Sequence, residues 1–486
     1  MTGRSSRPKD SRPGQKRPPR TGPKDRGSTG THVQPARRIA YEVISAVRSS
    51  DAYANLLLPV KLSRAKLSAA DAGLATELTY GTLRMMGYYD RVIVLAAGRG
   101  VDAIDPEILD VLRLGLHQLL SMRVAEHAAV NESVILAQTV GSRSATGFTN
   151  AVLRTVTRST PDEWHTRVLE ATTDPDDRLS AEFSHPVWIV RALRQSLGAE
   201  DRGGELDEAL AANNVAPMVN LVALPGFADG TEPPADAHPA HYSPVGFYSD
   251  GGDPFNIPGV KQKVVRVQDE GSQLAALALS RARPIARGER WLDLCAGPGG
   301  KAALLAAEAV AGGADLVANE LVPARAELVR RALTPFGEAV QVWEHDGTLV
   351  GDTHAGAFDR ILLDAPCTGL GALRRRPEAR WRKKPTDVAA LVALQRSLLD
   401  SAITALAPGG VLAYVTCSPH IGETRTVVAG AMKKHEAILR RLPTADIVQA
   451  VSLAPLDLAG DGLSVQLWPH RHGTDAMFIQ LFEKHA

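Results

Sequence analysis

The chain has 486 residues, of which 44% are hydrophobic and 22% charged, and its formal net charge at pH 7 is +1. This length predicts two to four domains with well-filled cores, and we expect neither a membrane span nor a signal peptide, because no sufficiently long apolar run is visible. Three cysteines without a C-x-x-C pair argue against a disulfide framework and a structural zinc site, and they favour a reducing cytoplasm.

The first 30 residues form a strongly basic segment with nine Lys or Arg and two Asp, so their net charge is +7 and the remainder carries about −6. The segment is rich in Pro, Gly, Ser and Arg and nearly free of apolar residues, which predicts a disordered basic tail over residues 1–32. Such a tail attracts polyanions through their phosphate backbone. A solubilising extension is the alternative.

Residues 33–160 carry the apolar spacing of helices. In "ARRIAYEVISAV" the residues Ile39, Val43 and Val47 share one face, and "DPEILDVLRLGLHQLLSM" begins with an acid–proline pair typical of a helix start. Two segments of this all-helical region, "NESVILAQTVG" (131–141) and "GFTNAVLR" (147–154), resemble the NusB-like RNA-binding domain. A helical scaffold without RNA binding is the alternative.

Residues 161–265 are less regular and predict a connector or a small α/β subdomain. "SHPVWIVRAL" is typical of a helix entered through a proline, and "NNVAPMVNLVAL" of a loop that leads into a strand. Over residues 266–486, helical stretches alternate with six strand-like segments: "RWLDLC", "LVAN", "VQVWEH", "FDRILLD", "VLAYVTC" and "AMFIQLFE". Short buried strands between helices predict an α/β domain with a mostly parallel, doubly wound sheet.

The segment "LDLCAGPGGKAALLAA" (292–307) predicts a strand that ends at Cys295, a Gly/Pro turn and a helix from near Lys301. The glycines let the backbone approach a ligand closely, and the N–H groups at the start of the helix point into the same crevice. The spacing of the glycines matches neither a Walker A loop nor the dinucleotide-binding motif G-x-G-x-x-G. Glu320 follows the next strand, where it can accept hydrogen bonds from ribose hydroxyls, and Asp346 follows the third. This favours a nucleoside cofactor, with S-adenosylmethionine as the candidate; a tightly packed turn is the alternative.

The segment "ILLDAPCTGLGALRRRPEARW" (361–381) predicts a buried strand that delivers Asp364 and Cys367 to the carboxyl edge of the sheet. The "RRRPEARWRKK" run that overlaps its end (374–384) has seven basic residues, one acid and Trp381. Arg and Lys can grip phosphates and an aromatic ring can stack on an unpaired base, so the run favours RNA contact. A basic surface face is the alternative.

All three cysteines follow predicted strands: Cys295 the first, Cys367 the fourth and Cys417 the fifth of the α/β domain. In a doubly wound sheet those carboxyl ends converge near the switch point, where ligands bind. Buried structural cysteines are the alternative, since free Cys is commonly buried.

"DLCAGPGGK", "LLDAPCTGLG" and "YVTCS" resemble the motifs of RNA cytosine-carbon-5 methyltransferases of the RsmB/Fmu/Sun type, and "QDEGSQL" (268–274) resembles the segment that precedes their cofactor loop. The bacterial RsmB branch shares the NusB-like extension. The resemblance implies a Rossmann-like methyltransferase domain that uses S-adenosylmethionine to methylate carbon 5 of a cytosine in 16S ribosomal RNA, unassembled or partly assembled. We expect a cytoplasmic enzyme, monomeric and without a metal.

By the same resemblance, Cys417 is the nucleophile, Cys367 assists product release, and Asp364 contacts the cytosine ring or the cofactor. Glu320 would bind the ribose and Asp346 would lie near the adenine. The remaining cofactor-binding residues implied are Cys295, Ala296, Gly297, Pro298, Gly299, Gly300 and Lys301.

The chain departs from the family pattern in two places. Gly422 and Thr424 stand where the family has an acid and an amide, and Asp475-Ala476-Met477-Phe478 stands for D-G-F-F. Two alternatives stay open: the same chemistry on transfer RNA or 23S RNA, and a NusB-type RNA-binding factor whose methyltransferase domain is inactive. The paired cysteines and the basic run disfavour a methyltransferase that acts on small molecules.

Overall fold

The computed structural model describes residues 1–3, 33–231, 233–234, 237–249 and 252–485. The prediction of a disordered tail over residues 1–32 therefore lies outside the described residues, apart from the first three. The chain folds into a helical N-terminal region followed by an α/β region, as the sequence predicts.

The N-terminal region is a bundle in which the helix α5 is nearly surrounded, since almost every residue from Ile108 to Gln118 is buried. Side-chain caps define several boundaries: Ser142 accepts a hydrogen bond from the Ala145 amide at the start of α7, and Thr160 and Glu163 form a capping box on α8. The helices are α1 Pro35–Ser49, α2 Ala54–Ala65, α3 Ala69–Arg84, α4 Met86–Ala97, α5 Pro106–Leu120, α6 Glu126–Val140, α7 Arg143–Val156 and α8 Pro161–Glu170.

Three further helices and a small antiparallel sheet follow. The helices are α9 Pro175–Phe183, α10 Val187–Gly198 and α11 Leu206–Ala212, and the strands are β1 Val219–Ala223, β2 Ala237–Pro239, β3 Gly246–Ser249 and β4 Val265–Val267. The strand order is β2-β3-β1-β4, with every pair antiparallel. Residues 161–265 thus contain both helix and sheet, while the predicted boundaries at residues 160 and 265 stay predictions.

The C-terminal region has the predicted doubly wound sheet, with an antiparallel addition at one edge. Strands β5 Arg290–Asp293, β6 Asp315–Asn319, β7 Val340–Trp343, β8 Phe358–Asp364 and β9 Leu406–Thr416 run parallel in the order β9-β8-β5-β6-β7. Beyond β9 lie the antiparallel strands β10 Leu439–Arg441, β11 Val465–Gln466 and β12 Phe478–Lys484. The sequence predicted β12 but missed the two short strands, which lack a strand-length apolar pattern.

Nine helices of the described residues belong to this region: α12 Glu270–Ser280, α13 Gly300–Gly312, α14 Pro323–Leu333, α15 Val350–Thr353, α16 Ala379–Arg382, α17 Pro385–Ala405, α18 Arg425–His435, α19 Thr444–Val451 and α20 Pro469–His472. Among the described residues, α17 is the one helix long and apolar enough, by length and composition, to cross a membrane. Its buried residues Leu398, Leu399 and Ile403 pack with Ile361 and Leu412 of the sheet. A core helix meets the same criterion, so this is weak evidence for a span.

Candidate active site at the carboxyl edge of the sheet

The five parallel strands bring the predicted residues to one edge. Because β9, β8, β5, β6 and β7 are neighbours in that order, the loops after them meet side by side. Backbone hydrogen bonds join these strand ends: Ala365 N donates to Val415 O at 2.9 Å, and Leu294 N donates to Leu362 O at 2.9 Å. Cys417, Asp364 and Cys295 therefore share one crevice, as parallel strands require.

The glycine loop lies directly against Glu320. A Cβ atom at Gly297 would lie 2.2 Å from Glu320 Oε2, and the same oxygen accepts a hydrogen bond from Gly297 N at 3.2 Å. Gly299 has φ of 100°, a left-handed conformation that favours glycine, and it starts α13. Arg325 pairs with Glu320 at 3.3 Å and donates to Gly297 O at 2.8 Å. The loop and the predicted ribose-binding carboxylate thus form one unit.

Asn319 fixes the loops that carry Glu320 and Asp346, a role that the sequence analysis missed. Its Nδ2 donates to Leu294 O at 3.1 Å and to His345 O at 3.0 Å, and its Oδ1 accepts from His345 N at 3.0 Å. The feature of the sequence that could have indicated this role is an asparagine at the end of a buried strand. Asp346 itself is exposed and accepts hydrogen bonds from Thr348, so it lies at the outer part of the edge.

Two buried polar side chains near the loop have unmet hydrogen-bonding capacity. The Gln268 amide has no hydrogen-bond partner, is 7% exposed and lies 4.0 Å from an ideal Cβ position on Gly300. Neither carboxylate oxygen of Asp293 forms a hydrogen bond of ordinary geometry; burial, and then the charge of Asp364, raise the pKa of this side chain to about 8. Such groups beside a glycine loop fit a polar ligand bearing both hydrogen-bonding groups and positive charge.

Lys301 and Asp364 form an ion pair beside the thiols, with 2.8 Å between Lys301 Nζ and Asp364 Oδ2. Burial acts to lower the pKa of Lys301, but the Asp364 carboxylate outweighs it, so the pKa is raised and the ammonium form persists. The pair places one fixed positive charge and one carboxylate within the crevice.

The two sulfur atoms of Cys367 and Cys417 are 3.4 Å apart. A hydrogen bond from Cys367 is the largest cause that lowers the pKa of Cys417; burial and Asp364 oppose it, whereas Lys301 and Arg376 support it. The same hydrogen bond and burial raise the pKa of Cys367 well above its usual range. Cys417 is therefore the thiol of this pair that ionises first.

Cys295 differs from this pair. Burial, followed by the charges of Asp293 and Asp364, raises the pKa of its thiol well above the ordinary range. It stays protonated at neutral pH, which fits a place in the lining of the crevice rather than a nucleophilic role.

Glu423, which the sequence analysis did not single out, holds the loops that carry the two thiols. The side chain is fully buried, and its carboxylate accepts hydrogen bonds from Thr368 N at 2.7 Å and from Ser418 Oγ at 2.6 Å. The residues that depart from the family pattern bond locally: Gly422 N donates to the ring of His420 at 3.0 Å, and Thr424 Oγ1 donates to His420 O at 3.0 Å. The loop is therefore closed without the family's acid and amide.

The basic run 374–384 is largely committed to internal contacts. Arg374 and Arg375 form ion pairs with Asp269 and Asp475. Arg380 is fully buried and donates to Arg84 O, Ser184 O, Asn213 O and Asn214 Oδ1, while Arg382 donates to the carbonyls of Val47, Asp51 and Ala52. These four arginines are therefore not available to bind RNA phosphates, contrary to the prediction from the sequence. They do not form a basic face on the protein surface either.

Trp381 is also used internally, because its ring packs against Gly87 of the helical region. Of the same run, Arg376 is exposed, and its guanidinium carbon lies 5.8 Å from the ring centre of Tyr53. This arginine also contributes to the lowered pKa of Cys417. Arg376 therefore lies against an aromatic side chain of the helical region and within electrostatic range of Cys417.

Comparisons with known proteins identify families that match both regions of the chain. A family described as 16S rRNA methyltransferase RsmB/F matches residues 283–483, and the NusB family matches residues 34–158. A protein of Mycobacterium tuberculosis H37Rv named as a putative methyltransferase is 47% identical over 94% of this chain and 98% of its own. The ribosomal RNA small subunit methyltransferases B of Erwinia tasmaniensis and Pseudomonas putida are 30% and 32% identical, over 96% and 90% of their lengths and 88% and 84% of this chain.

Two solved structures share the fold. The crystal structure of PH0851 superposes with a TM-score of 0.73 at 20% identity, covering 93% of this chain and 99% of that one. A methyltransferase homolog protein from Pyrococcus horikoshii superposes with a TM-score of 0.51 at 20% identity, covering 64% of this chain and 100% of that one.

Proposed function

The chain belongs to the RsmB/F family of S-adenosylmethionine-dependent 16S rRNA methyltransferases, and we propose that it methylates carbon 5 of a cytosine in 16S rRNA through a covalent Cys417–cytosine adduct. The observation that carries this proposal is the half-buried thiol pair, in which the pKa of Cys417 is lowered by Cys367 only 3.4 Å away. A methyl transfer to a nitrogen or oxygen nucleophile needs no such pair, whereas carbon 5 of cytosine must first be activated.

The activation is nucleophilic catalysis. The Cys417 thiolate adds to carbon 6, a sulfur–carbon bond forms, and the electron pair of the 5,6 double bond becomes available at carbon 5. S-adenosylmethionine, when bound, would supply an electrophilic methyl group, whose bond to the sulfonium sulfur would break as the bond to carbon 5 forms, so that a neutral thioether leaves. After carbon 5 is methylated, its proton is lost to a base, the double bond re-forms, and the bond between Cys417 and carbon 6 breaks to return the thiolate.

The neighbours of Cys417 fit these roles. Lys301 holds a positive charge that favours the thiolate, and Asp364 would hydrogen-bond the cytosine ring or the cofactor. Cys367 would assist the release step, since its own pKa is raised and it stays protonated beside the leaving sulfur.

The cofactor would be held along the glycine loop and the next two strand ends. The loop residues Cys295, Ala296, Gly297, Pro298, Gly299, Gly300 and Lys301 would bind its amino-acid part. Glu320 would accept hydrogen bonds from the ribose, Asp346 would lie near the adenine, and Asp364 would border the methyl group. The unpaired Asp293 and Gln268 side chains support a ligand with a positively charged amino group at this position.

The target base must be unpaired or flipped out to reach the half-buried thiols at the carboxyl edge of the sheet. The NusB-like region supports RNA binding, and the names of the relatives support the small ribosomal subunit RNA as the substrate. We expect the enzyme to act in the cytoplasm, as a monomer and without a metal, on RNA that is unassembled or partly assembled.

Bisulfite sequencing of ribosomal RNA from cells with and without this gene tests the proposal. We expect one 5-methylcytosine of 16S rRNA to disappear and to return when the gene is restored. An unchanged 16S map with a lost position in transfer RNA or 23S rRNA would transfer the same chemistry to that substrate. Unchanged maps throughout would support a NusB-type RNA-binding factor without methyltransferase activity.

A further inference from the structure

Glu423 connects the two cysteine loops through a buried carboxylate. Its Oε1 accepts from Thr368 N at 2.7 Å and from Gln395 Nε2 at 3.3 Å, and its Oε2 accepts from Thr368 Oγ1 at 2.5 Å and Ser418 Oγ at 2.6 Å. Thr368 directly follows Cys367, and Ser418 directly follows Cys417. One carboxylate therefore bonds the residue next to each thiol.

The carboxylate is itself held rigidly. Gln395 of α17 also donates to Pro366 O at 2.8 Å, on the loop before Cys367, and Tyr414 of β9 donates its hydroxyl to the Glu423 carbonyl at 2.6 Å. Buried hydrogen bonds to a charged acceptor are short and strong, so their geometry is transmitted to the neighbouring residues. The separation between the two sulfur atoms thus depends on a group that touches neither of them.

The electrostatic effect of the Glu423 carboxylate falls mainly on Cys367. Within the described part of the chain, no Lys, Arg or His nitrogen lies within 4.0 Å of this carboxylate, and the neutral donors named above satisfy it. The charge faces Cys367 more than Cys417: it helps to raise the pKa of Cys367 and is not among the main causes of the shift at Cys417. Asp364 also raises the pKa of Cys367. At Cys417, Asp364 acts to raise the pKa, whereas Lys301 and Arg376 act to lower it.

We propose that Glu423 is a positioning residue of the methyl-transfer reaction: it fixes the Cys367–Cys417 geometry and keeps the shared proton on Cys367. The inference rests on the proposed function, in which Cys417 attacks and Cys367 assists release. It also explains why the chain tolerates Gly422 and Thr424. The loop after Cys417 is held by Glu423 between them, and the family's flanking acid and amide are replaced by local bonds to His420.

The central experiment compares Glu423→Gln with the wild type in two measurements. Glutamine keeps the shape, and its amide oxygen can still accept from Thr368 N, but the negative charge is lost. The first measurement is alkylation of each cysteine by iodoacetamide over pH 6–10, followed by mass spectrometry. In the variant, Cys367 should react at lower pH than in the wild type, so the difference in alkylation rate between Cys417 and Cys367 should become smaller. Single-turnover methylation of 16S rRNA should slow by about 10- to 100-fold, because misplaced reacting groups lose rate steeply. The dissociation constant of S-adenosylmethionine should change by less than about twofold.

A matched control is Glu308→Gln, since Glu308 is also buried and bonds Ser280 and Arg281 away from the thiols. It should lower the melting temperature without altering either alkylation profile. If Glu423→Gln fails to fold, Ser418→Ala removes a single bond to the carboxylate and should slow single-turnover methylation by about 3- to 10-fold with unchanged cofactor affinity.

The proposal is overturned if folded Glu423→Gln shows wild-type alkylation profiles and a rate within twofold of wild type, or if Ser418→Ala retains the wild-type rate. The alkylation measurement needs no RNA. If the wild-type enzyme fails to methylate 16S rRNA, the proposed function fails while this positioning of the thiols is still decided by the alkylation profiles.

Discussion

The sulfur atoms of Cys367 and Cys417 lie 3.4 Å apart, although 50 residues separate them in the chain. Strands β8 and β9 are parallel neighbours, and the loops that follow them bring the two thiols together at one edge. The hydrogen bond between them divides the two roles, because it lowers the pKa of Cys417 and raises that of Cys367.

The division of roles predicts opposite behaviour of two single variants. Cys417→Ala should abolish methyl transfer and adduct formation, since no thiolate reaches carbon 6, while S-adenosylmethionine binding persists. Cys367→Ala should form the adduct but release it slowly, giving a protein–RNA species that survives denaturing electrophoresis. If the adduct accumulated in Cys417→Ala and was absent from Cys367→Ala, the two assignments would be reversed.

Lys301 makes the activity depend on pH in a predictable direction. Its charge lowers the pKa of Cys417, so Lys301→Gln should raise that pKa and move the acidic limb of the single-turnover rate profile to higher pH. The rate deficit should therefore be large near pH 7 and smaller near pH 9, where thiolate forms without help. Lys301→Arg should restore part of the acidic limb because it keeps the charge.

The exposed Lys384→Gln is the control for a general charge effect. Its profile should coincide with that of the wild type. A Lys301→Gln profile that is lowered equally at every pH would show that the ammonium acts by another route than the ionisation of Cys417.

Asp293 predicts a link between pH, stability and the cofactor. Its pKa in the fold is about 8 against an ordinary value of 3.8, so the folded state binds this proton more tightly than the unfolded chain. The contribution of this group to the free energy of unfolding of the cofactor-free protein is largest below about pH 4. It falls as the pH rises towards 8. At about 1.4 kcal/mol per pKa unit, Asp293→Asn should stabilise the cofactor-free protein at pH 8 by roughly 2–5 kcal/mol.

The same substitution should weaken S-adenosylmethionine binding at pH 8 by at least about tenfold, because the carboxylate loses its charge. Denaturant unfolding at pH 5 and pH 8 with calorimetric titration of the cofactor checks both effects. An unchanged cofactor affinity would place the positive end of the cofactor elsewhere in the crevice.

The sequence was sufficient for the elements that local chemistry defines. A stretch of about ten residues is enough to recognise each of three features. These are the Gly/Pro turn after Cys295, the strand pattern before Asp364 and the cysteine at the end of β9. Their convergence then follows from parallel strand topology alone. The helical region was likewise predicted because its apolar spacing is long and regular.

Residues whose role depends on distant partners were not predictable in this way. Glu423 bonds Thr368, which is 55 positions away, and Asn319 bonds a loop on each side of its own strand. The basic run around Arg380 was predicted wrongly for the same reason. Its dense positive charge suggested RNA contact, but the Arg380 guanidinium donates its hydrogen bonds to carbonyl groups of Arg84, Ser184 and Asn213 inside the protein. Local composition does not reveal which acceptors a guanidinium will meet.

Tyr53 predicts how the helical region contributes to RNA binding. The residue is 48% exposed, and the guanidinium carbons of Arg376 and Arg382 lie 5.8 Å and 5.2 Å from the ring centre. Arg382 is fixed by carbonyl groups of Val47 and Ala52, whereas Arg376 is exposed and acts electrostatically on Cys417. An unpaired base beside the target cytosine can therefore stack on Tyr53 while Arg376 meets a phosphate.

Tyr53→Ala should weaken the binding of an unpaired 16S rRNA fragment by about 5- to 100-fold, the range expected for the loss of one aromatic stacking contact. Tyr53→Phe keeps the ring and should bind within about twofold of wild type, and so should Leu56→Ala, which removes an even more exposed apolar side chain from the same end of α2. Fluorescence anisotropy at one fixed salt concentration measures all three. Because stacking requires the ring and not merely apolar surface, equal losses in Tyr53→Ala and Leu56→Ala would indicate a general apolar contact of α2 instead.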